Sequence, residues 1–434
     1  MVRVTEFDSE SIMDDILRKG EKIADEVEVV YGSGKSIHAS LKGREIGEAG
    51  SSDSWIFCIR VIDGGRIGSS TTNDPLKWEE CLDAAKAGAK FAAVQEWGGL
   101  PGRLPANGTP ESTFDEKLVI DSSLLAGCIE ELLNGASEYS VDVAGGGASA
   151  SASSFRIANS AGLVHEGSKT RVGVSLETIS GTSTGYESDS ACFADRIDPY
   201  EIGKQAAYLA AHSVDAGDID TGTYDVVLSP IAVAQLICGI VVPALSGKNV
   251  KAGRSYFADK LGEQCLDESF TLRDDPFRGQ GSKERDAEGV PTRVLDLIRD
   301  GVVNTFSYDL KTAYRYGEES TGSAVRSGES PSIGFHNLYF EGDRQDIFDE
   351  KALYVHDVIG AHTANGITGD FSVETSNATW REGGEDTDAV RAAMLSGNIF
   401  EMLKSIAGVS KEPRELGNVI MPSVRFNNLR VVGK

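Results

Sequence analysis

The stretch SPIAVAQLICGIVVPALSG, residues 229–247, decides how the rest of the chain is arranged. Ser229 favours the N-cap position and Pro230 suits the first turn, so a helix is predicted to begin here. Apolar residues occupy every face of this helix, which is typical of a buried helix. Gly239 and Pro243 lie inside it, and both disfavour a regular helix interior. The stretch therefore predicts a buried apolar helix that is bent or irregular near these two residues.

The sequence before this helix indicates a boundary between two domains. A predicted helix near Glu201–Val214 ends in the polar segment DAGDIDTGT, and TYDVVLSP then has the pattern of a strand. We place the boundary there, which gives an N-terminal domain of residues 1–218 and a C-terminal domain of residues 219–434. A chain of 434 residues is long enough for two large domains. The predicted fold class is α+β, with helices and strands mixed in each domain and the buried apolar helix at the start of the second.

Hydrophobic periodicity predicts the other elements. Helical spacing predicts helices after Ser9 and at Trp78–Val94, Ser122–Leu133 and Asp388–Ile406. Short alternating runs between residues 36 and 74 predict antiparallel strands. The segment GSGKS, residues 32–36, is similar to the end of a phosphate-binding loop, but it lacks the earlier glycine that such a loop needs. We interpret this segment as a hairpin turn.

The charge balance and the cysteines limit the function classes. Lys and Arg number 42 and Asp and Glu number 67, for a net charge of −25. A surface this negative repels a phosphate backbone, so nucleic acid is not an expected partner. The cysteines are scattered without a CxxC pair, which favours free thiols in a reducing compartment. The opening MVRVTEFDSE lacks the pattern of a leader and no long apolar run predicts a membrane span, so we expect a cytoplasmic protein.

The histidines form no recognisable metal motif. None lies in an HExxH arrangement. His356 and His362 are six residues apart in HDVIGAH, and we interpret them as hydrogen-bonded structural residues rather than ligands. An unrelated enzyme site at His336, His356 or His362 is the least favoured hypothesis, because no nucleophile or metal constellation accompanies them.

Several sequence blocks, which occur in order, resemble one known family. They cover nearly all of residues 223–434 and include VVLSPIAVAQL (226–236), GRSYFADKLGE (253–263), DDPFRGQGS (274–282), FSYDLKTAYRYGEESTGSAVR (306–326), ANGITGDFS (364–372) and MPSVRFNNLRVVGK (421–434). The N-terminal half matches more loosely, through VIDGGRIGSSTTND (61–74). The chain resembles the TldD/PmbA family and, within it, the PmbA branch, which is also called TldE.

This resemblance implies two kinds of subunit, of which one binds zinc. TldD-type chains carry HExxxH, which supplies two His ligands and a Glu base, and a further cysteine ligand near the C-terminus. Carried onto this chain, the motif falls on Cys238, Gly239 and Pro243, and the last cysteine of the chain is Cys265. The resemblance therefore implies that this chain has no metal, no cofactor and no catalytic residue of its own. It implies zinc in a TldD-type partner subunit.

We accordingly expect the non-metal subunit of a TldD-type zinc metallopeptidase complex, a heterodimer that cleaves short or unfolded peptides. The segments ITGDFSVE (367–374) and SIGFHNLYF (332–340) are candidate sites for an extended peptide to add as a strand. The candidate channel residues are His336, Asn337, His362, Asn365, Thr368, Gly369 and Asp370. The alternative hypothesis is a stand-alone peptide-binding or chaperone-like module. In isolation the chain is expected to be able to form a homodimer.

Overall fold

The computed structural model describes residues 7–433, which form two packed parts. The strands of the N-terminal part are β1 (Glu26–Lys42), β2 (Glu45–Asp63), β3 (Arg66–Thr72), β4 (Asp142–Asn159), β5 (Val164–Ser180) and β6 (Ser183–Ala191). They form one antiparallel sheet in the order β3-β2-β1-β4-β5-β6. The helices of this part are α1 (Ser9–Gly20), α2 (Trp78–Phe91), α3 (Ser122–Ala136) and α4 (Pro199–His212).

One face of this sheet carries the helices, and the other faces the C-terminal part. Successive side chains along a strand point to opposite faces. In β5, Val172 and Val174 pack with Leu132 of α3 in a hydrophobic core. Lys169 and Arg171 of the same strand line a cavity on the opposite face. The sheet is therefore a middle layer between its own helices and the rest of the chain.

The GSGKS segment is not a hairpin turn, so that prediction is wrong. It lies in the middle of β1, where Gly34 pairs with Ser54 of β2 and, on the other edge, with β4. Val29 before it belongs to a core with α1 and α2, and Ile37 after it belongs to the core with α3 and α4. Gly32–Ser36 therefore occupy the part of β1 that lies between the two hydrophobic cores. Pairing on both edges outweighs their local preference for turns.

The C-terminal part is built on a larger mixed sheet. Its strands are β7 (Gly222–Leu228), β8 (Thr271–Asp274), β9 (Leu295–Arg299), β10 (Val302–Val303), β11 (Ala324–Arg326), β12 (Pro331–Ile333), β13 (Leu338–Glu341), β14 (Arg344–Gln345), β15 (Ala352–Ile359), β16 (Asp370–Glu382), β17 (Glu385–Val390), β18 (Met394–Asn398), β19 (Ile406–Leu416) and β20 (Val419–Val432). β7 pairs with both β15 and β20, so the strands β20-β18-β16-β15-β7 close into a ring. β11 and β12 form a separate hairpin.

The predicted buried helix is confirmed at the start of this part. It consists of α5 (Pro230–Leu236), a π turn (Ile237–Val241) and α6 (Val242–Ala244). The side chain of Ser229 caps it, and Ile240 is fully buried in the main hydrophobic core. The remaining helices are α7 (Gly247–Lys251), α8 (Leu310–Tyr316) and α9 (Ile399–Met402). Helices and strands occur in both parts, which confirms the α+β class, and no helix within residues 7–433 is long and apolar enough to cross a membrane.

The predicted last helix, at Asp388–Ile406, is wrong over most of its length. Its first residues complete β17, and Met394–Asn398 form β18. β18 pairs with β16 on one edge and with β20 on the other, so it lies inside the sheet. Only α9 is helical. Pairing with two distant strands outweighs the helical spacing of the local sequence.

A buried ion network joins the two parts. Arg60 of β2 contacts Glu28 of β1 and Glu288 of the C-terminal part, each at 2.7 Å. Arg326 of β11 adds a contact to Glu28 at 2.6 Å. The side chains of Arg60, Glu28 and Glu288 are 3%, 1% and 0% exposed. Each of these buried charges has an opposite charge beside it, which offsets the large cost of removing it from water.

Asp286, beside this network, is expected to make stability depend on pH. Burial, and after it the Glu288 carboxylate, raises the pKa of Asp286 to about 7. Because the pKa of Asp286 is higher in the folded state than in the unfolded state, its neutral carboxyl contributes fully to the free energy of unfolding below about pH 4. This contribution is lost as the pH rises through about 7. The free energy of unfolding, relative to the Asp286→Asn variant, should fall by about 1 kcal/mol per unit between about pH 5 and pH 7. Urea denaturation of both proteins measures this, and a constant difference would contradict the expectation.

Candidate functional site

A cavity of about 970 Å³ lies between the two parts of the chain. Strands β1, β4, β5 and β6 supply one wall, and residues around Gln280, His336 and Asn418 supply the other. Its volume is near the upper end of the range of about 300–1,000 Å³ that is usual for ligand sites. Much of the lining is glycine or serine: Ser40, Gly146, Gly147, Ser149, Gly173, Ser175, Ser188, Ser190, Gly281 and Gly417. Small side chains leave room for an extended ligand.

The charged groups of the cavity are mainly basic. Lys169 and Arg171 enter it from the sheet, and Lys283 enters it from the opposite wall. Among the described residues that line it, Asp189 is the one carboxylate. Burial raises the pKa of Asp189 and lowers the pKa values of Lys169 and Lys283. The cavity is therefore locally positive in a chain with a net charge of −25.

Hydrogen bonds across the cavity hold its two walls together. Lys169 Nζ donates to the backbone oxygen of Gln280 at 2.7 Å. The side chain of Gln280 donates to the backbone oxygen of Ser190 at 2.9 Å, and Arg171 donates to Ser190 Oγ at 2.7 Å. Lys283, by contrast, has no ion pair or side-chain hydrogen bond within residues 7–433. Lys169 and Arg171 thus have structural partners, whereas the Lys283 ammonium has none.

His336, a predicted channel residue, lines this cavity. Asp274 Oδ1 accepts the backbone N–H groups of His336 and Asn337 at 2.8 and 2.9 Å. Asp274 Oδ2 lies 3.1 Å from His336 Nδ1; in the neutral ring this contact places the proton on Nδ1 and leaves Nε2 as an acceptor. His336 is 4% exposed, and no group in the described part of the chain hydrogen-bonds its Nε2. An unsatisfied buried acceptor of this kind is costly, so it indicates a place for a donor.

Asn337, the neighbouring candidate, has a different role in the structure. It is fully buried, and its side chain accepts from the backbone N–H of Gly281 at 2.6 Å and donates to the backbone oxygen of Asp275 at 2.9 Å. It therefore braces the 275–281 loop instead of lining the cavity. The following strand, β13, is paired with β8 and β20 on its two edges. Within the described residues, Leu338 and Tyr339 are thus paired on both edges, which argues against strand addition at this part of the predicted 332–340 segment.

The other candidate residues form a second group in the loop between β15 and β16. This group consists of His362, Asn365, Thr368, Gly369 and Asp370, none of which lines the cavity described above. The Asn365 side chain accepts from the backbone N–H of Thr368, and Thr368 Oγ1 donates to Asp370 at 2.7 Å. Gly369 has a φ of 86°, and a Cβ there would overlap the ring of Phe400. The polar groups of this loop therefore mainly stabilise the conformation of the loop itself.

The positions of the zinc motif lie on the π turn of the buried helix, beside this loop. The backbone N–H of Val242 donates to the oxygen of Ile237, five residues earlier. Pro243 explains the widened turn, because it has no N–H and its ring crowds the carbonyl four residues before it. The irregularity predicted from the sequence is therefore confirmed. A hydrogen bond to the fifth residue back closes a wider turn than that of an α-helix, so residues five apart, such as Cys238 and Pro243, lie closer to one face than they would in a regular α-helix.

The residues at these positions do not suit a zinc ion. Zinc binds thiolate, imidazole or carboxylate groups. Burial raises the pKa of the Cys238 thiol to about 12, so this group is a protonated thiol near neutral pH. Gly239 has no side chain, and Pro243 has no donor atom. Within residues 7–433, no three His, Cys, Asp or Glu side chains are arranged to hold a metal.

Sequence reasoning missed Lys169, Arg171 and Lys283. In β5 the basic residues alternate with buried ones, which is also the pattern of an ordinary strand with one face in water. No local signal shows that the C-terminal part covers that face. A lysine directly after the glycine-rich DDPFRGQGS block was the one available hint for Lys283.

Models of one family match the chain over most of its length. PmbA/TldA metallopeptidase domain 1 matches residues 27–89, the central domain matches residues 113–214, and the C-terminal domain matches residues 221–433. These matches identify a protein of the metallopeptidase-related class. The chain belongs to the PmbA/TldD family, which confirms the predicted resemblance. The family models divide the N-terminal part in two, although one sheet runs through both of these segments.

Individual relatives agree with this assignment. The crystal structure of TldE from Thermococcus kodakarensis superposes with a TM-score of 0.88 at 26% identity, covering 97% of this chain and 100% of that one. A protein named metalloprotease from Methanothermobacter thermautotrophicus is 26% identical over 92% of this chain and 91% of its own length. A metalloprotease PmbA homolog from Haemophilus influenzae is 24% identical, over 94% and 92% respectively. These matches extend over nearly the whole fold.

Proposed function

We propose that this chain is the non-catalytic subunit of a zinc metallopeptidase complex that cleaves peptides. Membership of a metallopeptidase family supports a role in proteolysis. The observation that carries the proposal is the chemistry of Cys238, Gly239 and Pro243 on and directly after the π turn, because these residues supply no zinc ligand set and no base. A catalytic zinc site normally has three protein ligands and a base beside the bound water. In this proposal those groups belong to a TldD-type partner.

The contribution of this chain is then to bind peptide substrate. The cavity between the two parts is large, and much of its lining is glycine or serine, which suits an extended backbone. The described cysteines are all free, in keeping with a reducing cytoplasm as the place of action. One observation favours the alternative of a stand-alone peptide-binding module, because both walls of the cavity come from a single chain.

The isolated chain is expected to bind far less than one zinc per chain. The reason is that Cys238 is a half-buried thiol whose pKa is raised, so it is protonated near neutral pH, and its neighbours in the motif offer no ligand. Metal analysis after zinc loading and desalting, without chelator, measures the content. Cys238→Ala is the matched variant and should give the same low value. One zinc per wild-type chain that is lost in Cys238→Ala would overturn the proposal.

A further inference from the structure

The lysines of the cavity carry positive charge that the protein does not neutralise. The charged groups that act on Lys283 are Lys169, which disfavours its ammonium form, and Asp286, which favours it. Asp286 is 2% exposed, and its carboxylate already accepts three backbone N–H groups. Lys283 is exposed as a residue, but enclosure of its ammonium between the cavity walls, and then the charge of Lys169, lowers its pKa. An anion between two ammonium groups would stabilise both of them.

A second, adjoining cavity indicates which way a bound ligand extends from the two lysines. This second cavity, of about 540 Å³, shares Lys169 and Lys283 with the first and is also lined by Glu111, Glu166 and Glu284. The two lysines therefore stand where the cavities meet. A ligand carboxylate is attracted to this junction and repelled from the acidic side beyond it. The rest of the ligand then lies in the larger cavity, along its glycine and serine walls.

His336 adds a requirement for a hydrogen-bond donor. Its Nδ1 is held by Asp274, so Nε2 can accept but has no partner in the described residues. A ligand that satisfies the whole site needs an anion for the lysines and a hydrogen-bond donor for His336. The last residue of a peptide carries both, as its α-carboxylate and its backbone N–H. A hydrogen phosphate ion also offers an anion and an O–H donor, but it fills little of 970 Å³, and so does a single amino acid.

We propose that this cavity binds the C-terminal end of a peptide, with Lys283 and Lys169 contacting the carboxylate and His336 Nε2 accepting the N–H of the last residue. The inference rests on the proposed function, because it names the part of the peptide substrate that this subunit holds. It differs from strand addition, since the selected group is the chain terminus and not the extended backbone.

Peptide binding to the purified full chain tests this assignment. The probe is a hexapeptide of glycine, alanine and serine, labelled with rhodamine at its N-terminus and followed by fluorescence anisotropy. We expect the free acid to bind about tenfold more tightly than the C-terminal amide, the change that follows from losing one charge-assisted contact. N-methylation of the last peptide bond removes the N–H and should also weaken binding several-fold.

Lys283→Met is the decisive variant, because the Lys283 ammonium has no contact in the described structure whose loss would affect folding. It should weaken binding of the acid about tenfold and leave the affinity for the amide unchanged. Lys311→Met, at an exposed lysine of α8 outside the cavity lining, should keep the full preference for the acid. Thermal melting of both variants checks that the fold is retained.

Three results would overturn the inference. They are equal affinity for acid and amide, no binding of either peptide, and displacement by inorganic phosphate as effective as by unlabelled peptide. The assay uses one chain and involves no cleavage. Its failure is therefore distinguishable from failure of the proposed function, which depends on cleavage with a partner.

Discussion

Arg60→Met is expected to lower the free energy of unfolding by about 3–5 kcal/mol, the cost typical of removing one partner from a buried ion pair. Arg60 contacts Glu28 and Glu288 at 2.7 Å, and all three side chains are at most 3% exposed. Without Arg60, Glu28 keeps Arg326 as a partner, but Glu288 is left as a buried carboxylate without an opposite charge in direct contact. Urea denaturation measures the loss, with the midpoint expected to shift and the slope to stay unchanged.

Two further variants separate this effect from a general loss of charge. Arg299→Met removes an arginine that is 57% exposed and paired with Asp296, and it should cost less than about 1 kcal/mol. The double variant Arg60→Met/Glu288→Gln removes one charge of each sign and leaves the Glu28–Arg326 pair in place. It should be more stable than Arg60→Met alone. If the free energy of unfolding of Arg60→Met lies within about 1 kcal/mol of the wild-type value, the network does not stabilise the junction of the two parts.

The apolar helix could be predicted from the sequence, and so could its irregularity, because both depend on neighbouring residues. Ser229 and Pro230 define its start, and Pro243 disrupts hydrogen bonding within a few residues of itself. The Gly32–Ser36 segment could not be predicted in this way. Its conformation depends on pairing with Ser54 and with β4, which starts more than a hundred residues later. Long-range pairing of this kind leaves no local pattern.

The candidate site was only partly predictable for the same reason. In the sequence His336 is a polar residue in a strand-like segment, and the structure places it against the cavity with Asp274. Asn337 is also a polar residue in this strand-like segment, yet its side chain makes hydrogen bonds to the 275–281 loop and does not line the cavity. Whether a buried amide has spare hydrogen-bonding capacity depends on its partners in space. Lys283 faces Lys169 only because the two parts of the chain pack together.

Partner-dependent cleavage is the second large effect that we expect. The isolated chain should cleave unfolded peptides at the background rate, because its π turn offers no zinc ligand set and no base. Mixing it with a TldD-type chain should raise the rate by about 100-fold or more over either chain alone, which corresponds to about 2.7 kcal/mol or more of barrier. Cys238→Ala in this chain is the matched control and should support the same rate.

The most direct test is the rate of cleavage of an unfolded fluorogenic peptide by this chain alone, by the TldD-type chain alone and by the equimolar mixture, each with and without a zinc chelator. The account predicts cleavage by the mixture that the chelator abolishes and added zinc restores, with background rates for this chain alone. Robust, chelator-insensitive cleavage by this chain alone would contradict it. So would a mixture no faster than the TldD-type chain, which would favour a stand-alone peptide-binding module.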